Sequence, residues 1–349
     1  MRAIGFQQPG SIDREEALVD IELPTPEPER RNLLVEVKAV SVNPVDTKKR
    51  KGIQPAPGAW QVLGWDAAGV VAATGPDVTL FQPGDAVFYA GAIDRPGTNA
   101  EYHLVDERIV GTKPKTLDWG AAAALPLTSL TAWEALFDRL DVEKTVRGAT
   151  PAILIVGGAG GVGSIAIQLA RAMTNLTVIA TASRPETIAW AKEMGAHHVI
   201  DHRKPLAAQV TALGLGAPAF VFSTVQTNLH AREIAELIAS QGRFGVIDEL
   251  AEAELFASKS VSIHWEFMFT RSLHQTNDMA EQGKLLNEVS RLVDEGILRS
   301  TVTERHSPIN AANLKHVHAL IESGQARGKV VLEGFNPARP ENWECQSGA

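Results

Sequence analysis

Residues 152–173 read AILIVGGAGGVGSIAIQLARAM, and this stretch decides the fold of the middle of the chain. The apolar run 152–156 is typical of a buried parallel strand, and the residues after the glycines have the apolar spacing of a helix. Between them Gly158, Gly160 and Gly163 stand in the frame G-x-G-x-x-G. Such glycines allow a tight turn, a close approach of backbone to a pyrophosphate, and close packing of helix on strand. The stretch therefore predicts a dinucleotide-binding loop.

Three further residues of this loop, Ala159, Gly161 and Val162, complete the predicted phosphate cradle. They lead into the first turn of the helix, where unpaired N–H groups and the helix dipole favour an anion. Because a strand precedes the glycines and a helix follows, a purely structural glycine turn is the weaker interpretation.

Strands and amphipathic helices alternate on both sides of the glycine loop. We expect further strands near 177–181, 198–200, 219–223 and 243–247, and helices near 165–173, 185–194 and 229–240. This order is typical of a doubly wound parallel sheet. A short run at 261–263 is expected to form its edge strand.

The first 110 or so residues follow a different pattern. Residues 33–43 alternate apolar and polar side chains, which is the period of a strand covered on one face, and similar strands are expected at 62–74, 85–89 and 101–105. Turn residues separate these runs, so this part is predicted to be antiparallel and barrel-like. Residues 117–140 are predicted to form two helical stretches around Pro126.

The end of the chain is expected to return to the first domain. Helices are predicted near 279–295 and 311–323, with strands near 301–305 and 329–332, whereas 336–349 is polar and expected to be loosely ordered. We therefore predict an α/β protein with a barrel-like domain at 1–126 and 269–349 and a Rossmann cofactor domain at 127–268.

Composition excludes several classes of protein. Among 349 residues, 33 Lys and Arg face 41 Asp and Glu, so the net charge of −8 disfavours nucleic acid and anionic membranes as partners. The single cysteine, Cys345, excludes an internal disulfide and a cysteine zinc cluster. With neither a signal-peptide pattern nor a membrane-length apolar run, a cytoplasmic location is expected.

The residues after the second strand of the Rossmann pattern predict which cofactor is used. An NAD-binding site usually carries Asp or Glu here, but this chain has Ala182, followed by Ser183 and Arg184. A hydrogen bond from the guanidinium to a 2′-phosphate would favour NADPH over NADH by about 10- to 150-fold. The alternative is that Arg184 is only a solvated residue at a helix start.

Three segments together resemble the medium-chain dehydrogenase/reductase superfamily: GWDAAGVVAATGPDVTLFQPGDAVF (64–88), LPLTSLTAWEAL (125–136) and ARGKVVLEGF (326–335). With the glycine loop they cover most of residues 1–335. VNPVDTKKRKG (42–52) and SVSIHWEFMFTRS (260–272) are most similar to its zinc-free quinone oxidoreductase branch, in particular to zinc-type alcohol dehydrogenase-like proteins. The resemblance implies a GroES-like, partly open β-barrel beside the Rossmann domain.

The resemblance also allows the zinc ligands to be checked position by position. Where zinc-binding members carry Cys, His and Cys, this chain has Asn43, Trp65 and Leu127, none of which is a workable zinc ligand. The pairs His197/His198 and His316/His318 have the wrong spacing for a closed site. We therefore predict no metal.

Four candidate catalytic residues follow from the resemblance. Asn43 is expected beside the nicotinamide, where its amide could donate to a substrate carbonyl oxygen; the alternative is that it fixes the turn with Pro44. Asp46 could orient a neighbour or only stabilise that turn. Lys48 stands where several relatives carry a tyrosine, and a solvated lysine is the safer interpretation. Trp65, like Tyr89, could line an aromatic pocket or simply pack in the core.

Two further residues are assigned to the cofactor by resemblance alone. Thr131 matches a threonine that faces the nicotinamide, and Lys329 matches a Gly-Lys pair near the cofactor. Without the resemblance they would be an ordinary helix residue and a solvated strand residue. The aromatic residues of 264–269 are expected to wall the pocket or to pack between the domains.

These inferences predict a homodimer that uses NADPH, without metal, to reduce quinones or α,β-unsaturated carbonyls by hydride transfer. Two alternatives stay open. One is a zinc-dependent alcohol or aldehyde dehydrogenase with atypical ligands, and the other is a non-catalytic NADPH-binding redox sensor.

Overall fold

The structure, a computed structural model, describes residues 1–335 and contains two main β-sheets. The strands of the first part are β1 Arg2–Phe6, β2 Val19–Glu22, β3 Asn32–Ser41, β4 Gln61–Val62, β5 Asp66–Thr74, β6 Ala86–Tyr89, β7 Tyr102–Asp106 and β8 Val110–Thr112. Its helices are α1 Pro44–Gly52, α2 Trp119–Ala123 and α3 Pro126–Trp133, the last continuing into a π-helical turn, Glu134–Arg139. The break before α3 confirms the predicted division at Pro126, which suits the first turn of a helix because it has no N–H to leave unpaired.

The middle part alternates strands and helices as predicted. Its strands are β9 Thr150–Val156, β10 Thr177–Thr181, β11 His198–Ile200, β12 Pro218–Ser223, β13 Arg243–Val246 and β14 Ser262–Trp265. Its helices are α4 Gly161–Met173, α5 Pro185–Glu193, α6 Leu206–Ala212 and α7 Thr227–Leu237. The last part contains α8 Thr270–Leu273, α9 Glu281–Asp294, β15 Val302–His306, α10 Ala311–Glu322 and β16 Lys329–Glu333.

The middle strands form one parallel sheet in the order β11-β10-β9-β12-β13-β14. Renumbered within this sheet, the order is 3-2-1-4-5-6, which is the Rossmann arrangement. The predicted doubly wound sheet is therefore confirmed, with β14 at one edge. The carboxyl end of β9 lies beside the point where strand order reverses, and ligands of such sheets bind there.

The second large sheet joins both ends of the described chain. Its order is β15-β16-β3-β5-β6-β8, with β7 also paired to β3, and the neighbours are antiparallel except for the parallel pair β15 and β16. The antiparallel first part and the return of the chain end to it are confirmed. The predicted boundaries at 126/127 and 268/269 remain a proposal.

One local prediction needs correction, and several elements were not predicted. The strand expected over 62–74 is two strands, β4 and β5, because the backbone turns at Gly64, whose φ of 102° favours glycine and where a Cβ would lie 2.6 Å from Thr98 Oγ1. The strands β1, β2 and β8 and the helix α6 were not predicted. Neither was α1, whose Lys- and Arg-rich sequence lacks a helical apolar stripe.

A single cluster of buried apolar side chains runs from one sheet to the other. It contains Leu33 and Val87 of the barrel-like sheet as well as Ile153 and Ile167 of the Rossmann part. The two parts also meet through backbone, because Gly328 N donates to Ala159 O at 2.8 Å. The start of β16 is thereby attached to the glycine loop.

Within residues 1–335, the helices are too short or too polar to cross a membrane. The predicted loosely ordered tail, 336–349, and Cys345 lie outside the described residues.

Candidate active site

The glycine loop has the shape that a dinucleotide requires. A Cβ at Gly158 would lie 2.7 Å from Ala180 Cβ, and one at Gly163 would collide with the carbonyl oxygen of Gly157. At Gly160, by contrast, the nearest atom would be 3.4 Å away, so this glycine faces open space. Packing therefore requires Gly158 and Gly163, and Gly160 leaves room for a pyrophosphate at the N-terminus of α4. The residues present fit a nicotinamide dinucleotide.

Ala159, Gly161 and Val162 lie in the turn between β9 and the body of α4, as predicted. A Cβ at Gly161 would lie 2.9 Å from Lys329 Cδ. The lysine side chain thus passes directly over the glycine loop.

The loop after β10 carries Ser183 and Arg184, with Ala182 buried behind them. Arg184 Nη2 donates to Gln325 O at 2.8 Å, and its Nε forms an ion pair with Glu186 at 3.0 Å. A second guanidinium, that of Arg203, donates to Ser183 O at 2.8 Å. The guanidinium that contacts Ser183 is therefore that of Arg203, whereas the guanidinium of Arg184 is bound to Gln325 and Glu186.

Arg203 was missed because it lies on the loop after β11, twenty residues further along the chain. It forms a 3.0 Å ion pair with Asp201, and its hydrogen bonds lower the pKa of Asp201 to about 2. The carboxylate is therefore ionised at neutral pH and already neutralised by Arg203.

The most distinctive part of the site is a buried ion pair between Lys329 and Asp66. Lys329 begins β16 and Asp66 begins β5, and the two side chains meet with 3.0 Å between Nζ and Oδ2. Both residues are almost fully buried, at 3% and 0% exposure. Lys329 Nζ also donates to Val42 O at 3.1 Å and to Asn43 Oδ1. All three ammonium hydrogens thus have acceptors.

Asp66 binds Asn43 and Leu127, two of the three positions that the resemblance matches to zinc ligands. Its Oδ2 accepts from Asn43 Nδ2 at 2.8 Å, and its Oδ1 accepts from Leu127 N at 2.8 Å. We call Asn43, Asp66 and Lys329 the ion-pair centre. An amide committed to hydrogen bonds, an indole and a leucine do not form a donor set that fits a zinc ion.

Sequence reasoning missed Asp66, although the signal was present. It is the one acidic residue in the segment GWDAAG, directly before a run of small apolar residues. A carboxylate in such a buried strand needs a partner, and that requirement could have singled it out.

Asn43 lies in the ion-pair centre, and both sides of its amide are engaged; its predicted place beside the nicotinamide stays a prediction. Nδ2 donates to Asp66 Oδ2 and to Ser41 O at 3.3 Å, while Oδ1 accepts from Lys329. Because Oδ1 must face the ammonium, the orientation of the amide is determined by its partners. In this arrangement Asn43 positions Asp66 and Lys329 and has no amide hydrogen left for a substrate.

Asp46 and Lys48 lie on α1 but have opposite surroundings. Asp46 is buried, and its carboxylate accepts from Asn43 N at 2.8 Å, capping the helix that Pro44 begins. Burial raises the pKa of Asp46 to about 7, against the opposing effect of the Asn43 hydrogen bond and the charge of Lys329. Lys48 is exposed, and the structure does not bring it into the centre.

Aromatic residues pack beside the ion-pair centre. Trp65 Nε1 donates to Ala92 O at 3.1 Å, and its ring meets Phe269 edge to face with centroids 6.0 Å apart. Of the predicted aromatic stretch 264–269, Phe269 is the residue whose ring contacts Trp65. Tyr89 stacks on His103, whose pKa burial lowers to about 4, so this imidazole is neutral.

Thr131 is buried in α3, and its hydroxyl donates to Leu127 O at 2.8 Å. This is the bond expected of an ordinary helical threonine. Its oxygen lone pairs remain available for a hydrogen bond from a cofactor amide.

The histidine pairs do not form metal sites as pairs. His198 begins β11, and in α10 His316 is exposed while His318 is buried. His316 does approach two residues of β15, a proximity that spacing along the chain could not predict.

Comparisons with known proteins agree with this architecture. The model of the alcohol dehydrogenase GroES-like domain matches residues 29–123, and that of zinc-binding dehydrogenases matches residues 194–332. A zinc-type alcohol dehydrogenase-like protein of Staphylococcus aureus (strain MSSA476) is 39% identical over 337 residues, which are 95% of this chain and 99% of that protein.

Two solved structures are similar over nearly their whole length. A Rhizobium etli CFN 42 protein, described as a candidate zinc-dependent alcohol dehydrogenase, is 69% identical with a TM-score of 0.95, covering 97% of this chain and 99% of its own. The quinone oxidoreductase of Coxiella burnetii is 28% identical with a TM-score of 0.79, covering 96% of this chain and 99% of its own. The predicted combination of GroES-like and Rossmann parts is confirmed.

Proposed function

From the premise that the chain belongs to the medium-chain dehydrogenase/reductase superfamily, we propose that it is an NADPH-dependent reductase of quinones or α,β-unsaturated carbonyls that needs no metal. It is an oxidoreductase of a family that uses nicotinamide dinucleotides. The observation that carries the proposal is the Lys329–Asp66 ion pair, which lies where a zinc ion would need its ligands.

The preference for NADPH rests on the loop after β10. Arg203 donates to Ser183 O, Arg184 is the next residue along the chain, and position 182 is an alanine and not a carboxylate. A 2′-phosphate bound at Ser183 would gain charge-assisted hydrogen bonds from these arginines, whereas a 2′-hydroxyl would gain much less. The glycine loop and the N-terminus of α4 would hold the pyrophosphate.

When bound, NADPH supplies a hydride to the conjugated acceptor, whose carbonyl oxygen takes up the negative charge and then a proton from solvent. The residues of this chain would act on that charge. The buried ammonium of Lys329 would act through its field and not through a hydrogen bond, because its three hydrogens already have acceptors and the Asp66 carboxylate offsets part of its charge. A fixed charge in a water-poor site stabilises a developing oxyanion more strongly than the same charge in water.

Asp46 would set the net charge of this region. When Asp46 is protonated, Lys329 and Asp66 together are neutral; when it is ionised, the group carries one negative charge. A carboxylate with a pKa of about 7 changes between these states near neutral pH. The ionised form would disfavour a developing oxyanion.

The names of two relatives favour a second candidate, a zinc-dependent alcohol dehydrogenase. Alkoxide formation in such enzymes depends on a Lewis acid. Here the matching positions Asn43, Trp65 and Leu127 lack the required donors, which argues against this candidate. The name of the Coxiella relative supports quinones as acceptors.

We also propose a homodimer formed through β14. This strand lies at the edge of the Rossmann sheet, and the nearby Trp265 and Phe267 are 56% and 46% exposed. An open sheet edge next to exposed aromatic side chains suits pairing across a two-fold axis. The cytoplasmic location stays a prediction.

The test is NADPH consumption by purified protein with a small benzoquinone, a conjugated enone or a simple aldehyde as the acceptor. The proposal predicts turnover with quinone or enone that a chelator leaves unchanged. Turnover of the aldehyde alone, abolished by chelator, would support the zinc enzyme. Tight NADPH binding without turnover of any acceptor would support the redox sensor.

A further inference from the structure

A second group of donor side chains lies on β15 and α10, next to the strand that carries Lys329. Glu304 and His306 are two residues apart on β15, so both side chains extend from the same face of the strand. β15 is the outermost strand of its sheet, and His316 approaches from the neighbouring helix α10. We call Glu304, His306 and His316 the edge cluster.

The three side chains are already close together. His306 Nε2 lies 2.7 Å from Glu304 Oε1, and the rings of His306 and His316 are 5.2 Å apart at 63°. One ligand atom from each of the three residues lies within 4.8 Å of the others. Three ligands at about 2.1 Å from a zinc ion are about 3.4 Å apart, so small side-chain rotations would close the site.

Hydrogen bonds hold the turn that joins β15 to α10. Asn310 caps α10 by accepting from Asn313 N at 2.8 Å, and Asn313 Nδ2 donates back to Pro308 O at 2.8 Å. The connection between β15 and α10 is therefore short and tied by hydrogen bonds. The donors themselves lie on the two elements that this turn joins, so little backbone conformational entropy is lost when an ion binds.

We propose that the edge cluster binds a divalent transition-metal ion, Zn²⁺ in the first place. Two imidazoles and one carboxylate form a donor set that zinc accepts, with a fourth position left for water. On binding, the ion would replace the hydrogen bond between His306 and Glu304, and both imidazoles would bind in their neutral form.

The expected role of this ion is structural. It would join the edge strand β15 to α10, and it would also cover part of the open sheet edge. Ions that bind only the folded state raise its stability by mass action. Hydride transfer would not involve the ion, because the edge cluster shares no residue with the ion-pair centre.

The test is calorimetric titration of tag-free, metal-stripped protein with ZnCl₂, together with the thermal midpoint with and without zinc. We expect about one zinc per chain, and at least tenfold weaker binding in His316→Asn and in Glu304→Gln. The matched control is His274→Asn, which removes an exposed histidine of α8's C-terminal end and should bind zinc as the wild type does.

Two results would overturn the proposal. The first is the absence of saturable zinc binding by the wild type. The second is binding that all three variants retain equally, which would place the ion elsewhere. A zinc-dependent rise of the thermal midpoint in the wild type and in His274→Asn, lost in His316→Asn and Glu304→Gln, would support it.

Discussion

The ion-pair centre and the edge cluster lie in the same barrel-like part but contain opposite kinds of chemistry. The centre includes Asn43, which the resemblance matches to a zinc-ligand position, yet it is built from a carboxylate, an ammonium and an amide that satisfy one another. The edge cluster has the imidazoles and the carboxylate that zinc prefers, but at the edge of a sheet. Zinc content and hydride chemistry must therefore be tested separately in this protein.

Burial makes the two regions respond differently to change. Lys329 and Asp66 are buried, so removing one leaves the other as an uncompensated charge in a medium of low dielectric constant. The side chains of the edge cluster are half-buried or exposed, so water can replace a lost partner. Substitutions in the ion-pair centre should therefore change stability and turnover more than substitutions in the edge cluster do.

The largest effect is expected for Lys329→Met. It leaves Asp66 unpaired and should lower the free energy of unfolding by about 3–5 kcal/mol, measured by urea denaturation, with loss of NADPH-dependent turnover. Lys192→Met, which removes an exposed lysine of α5, is the matched control.

The double variant Lys329→Met/Asp66→Asn separates the loss of stability from the loss of turnover. It removes both charges and keeps an acceptor for Leu127 N, so stability should recover while turnover stays low. Recovery of turnover as well would show that the positive charge of Lys329 is not needed.

The next largest effect is expected on the preference for NADPH over NADH, which does not depend on the ion-pair centre. Arg184→Ala and Arg203→Ala should each reduce the ratio of kcat/KM for NADPH to that for NADH, by about 10- to 150-fold for the arginine that binds the 2′-phosphate directly. Arg232→Ala, at an exposed ion pair of the same domain, should leave the ratio unchanged. An unaltered ratio in both test variants would contradict the assigned phosphate site.

Asp46→Asn should remove a pH dependence of the centre. Since the folded-state pKa of Asp46 is raised from 3.8 to about 7, the folded protein binds more protons in this window, and its stability should fall as pH rises from about 4 to about 7. Turnover should fall as pH rises through about 7. Both dependences should persist in Asp77→Asn, an exposed control.

The smallest effect is expected at the edge cluster. Removing zinc from the wild type should lower the thermal midpoint by a few degrees, as expected for the loss of a ligand that stabilises by about 1 kcal/mol or slightly more, and should leave turnover unchanged. A loss of turnover on zinc removal that His316→Asn reproduces would connect the two regions.

Local sequence was sufficient for the strands of the Rossmann part and for most of its helices, although not for α6. The glycine loop carries its own signal, because Gly163 packs against Gly157 within the loop and Gly158 packs against Ala180 of the next strand. The barrel-like part was harder, since β1, β2 and β8 are short and their pairing joins distant residues.

The chemistry of the site depended on contacts that no local pattern contains. Asp66 and Lys329 are 263 residues apart in sequence, and Arg203 reaches Ser183 from another loop. The edge cluster likewise needs α10 to fold back on β15. The resemblance supplied Asn43 and Lys329, but only the three-dimensional arrangement showed that they bind each other.

The most direct test of the metal-independent centre is to measure turnover and zinc content on the same preparations. Purified protein would be brought to a series of zinc occupancies, and kcat for quinone or enone reduction by NADPH would be plotted against zinc per chain. A metal-independent centre predicts a flat line with full turnover at zero zinc. A line that rises from zero in proportion to zinc would contradict it.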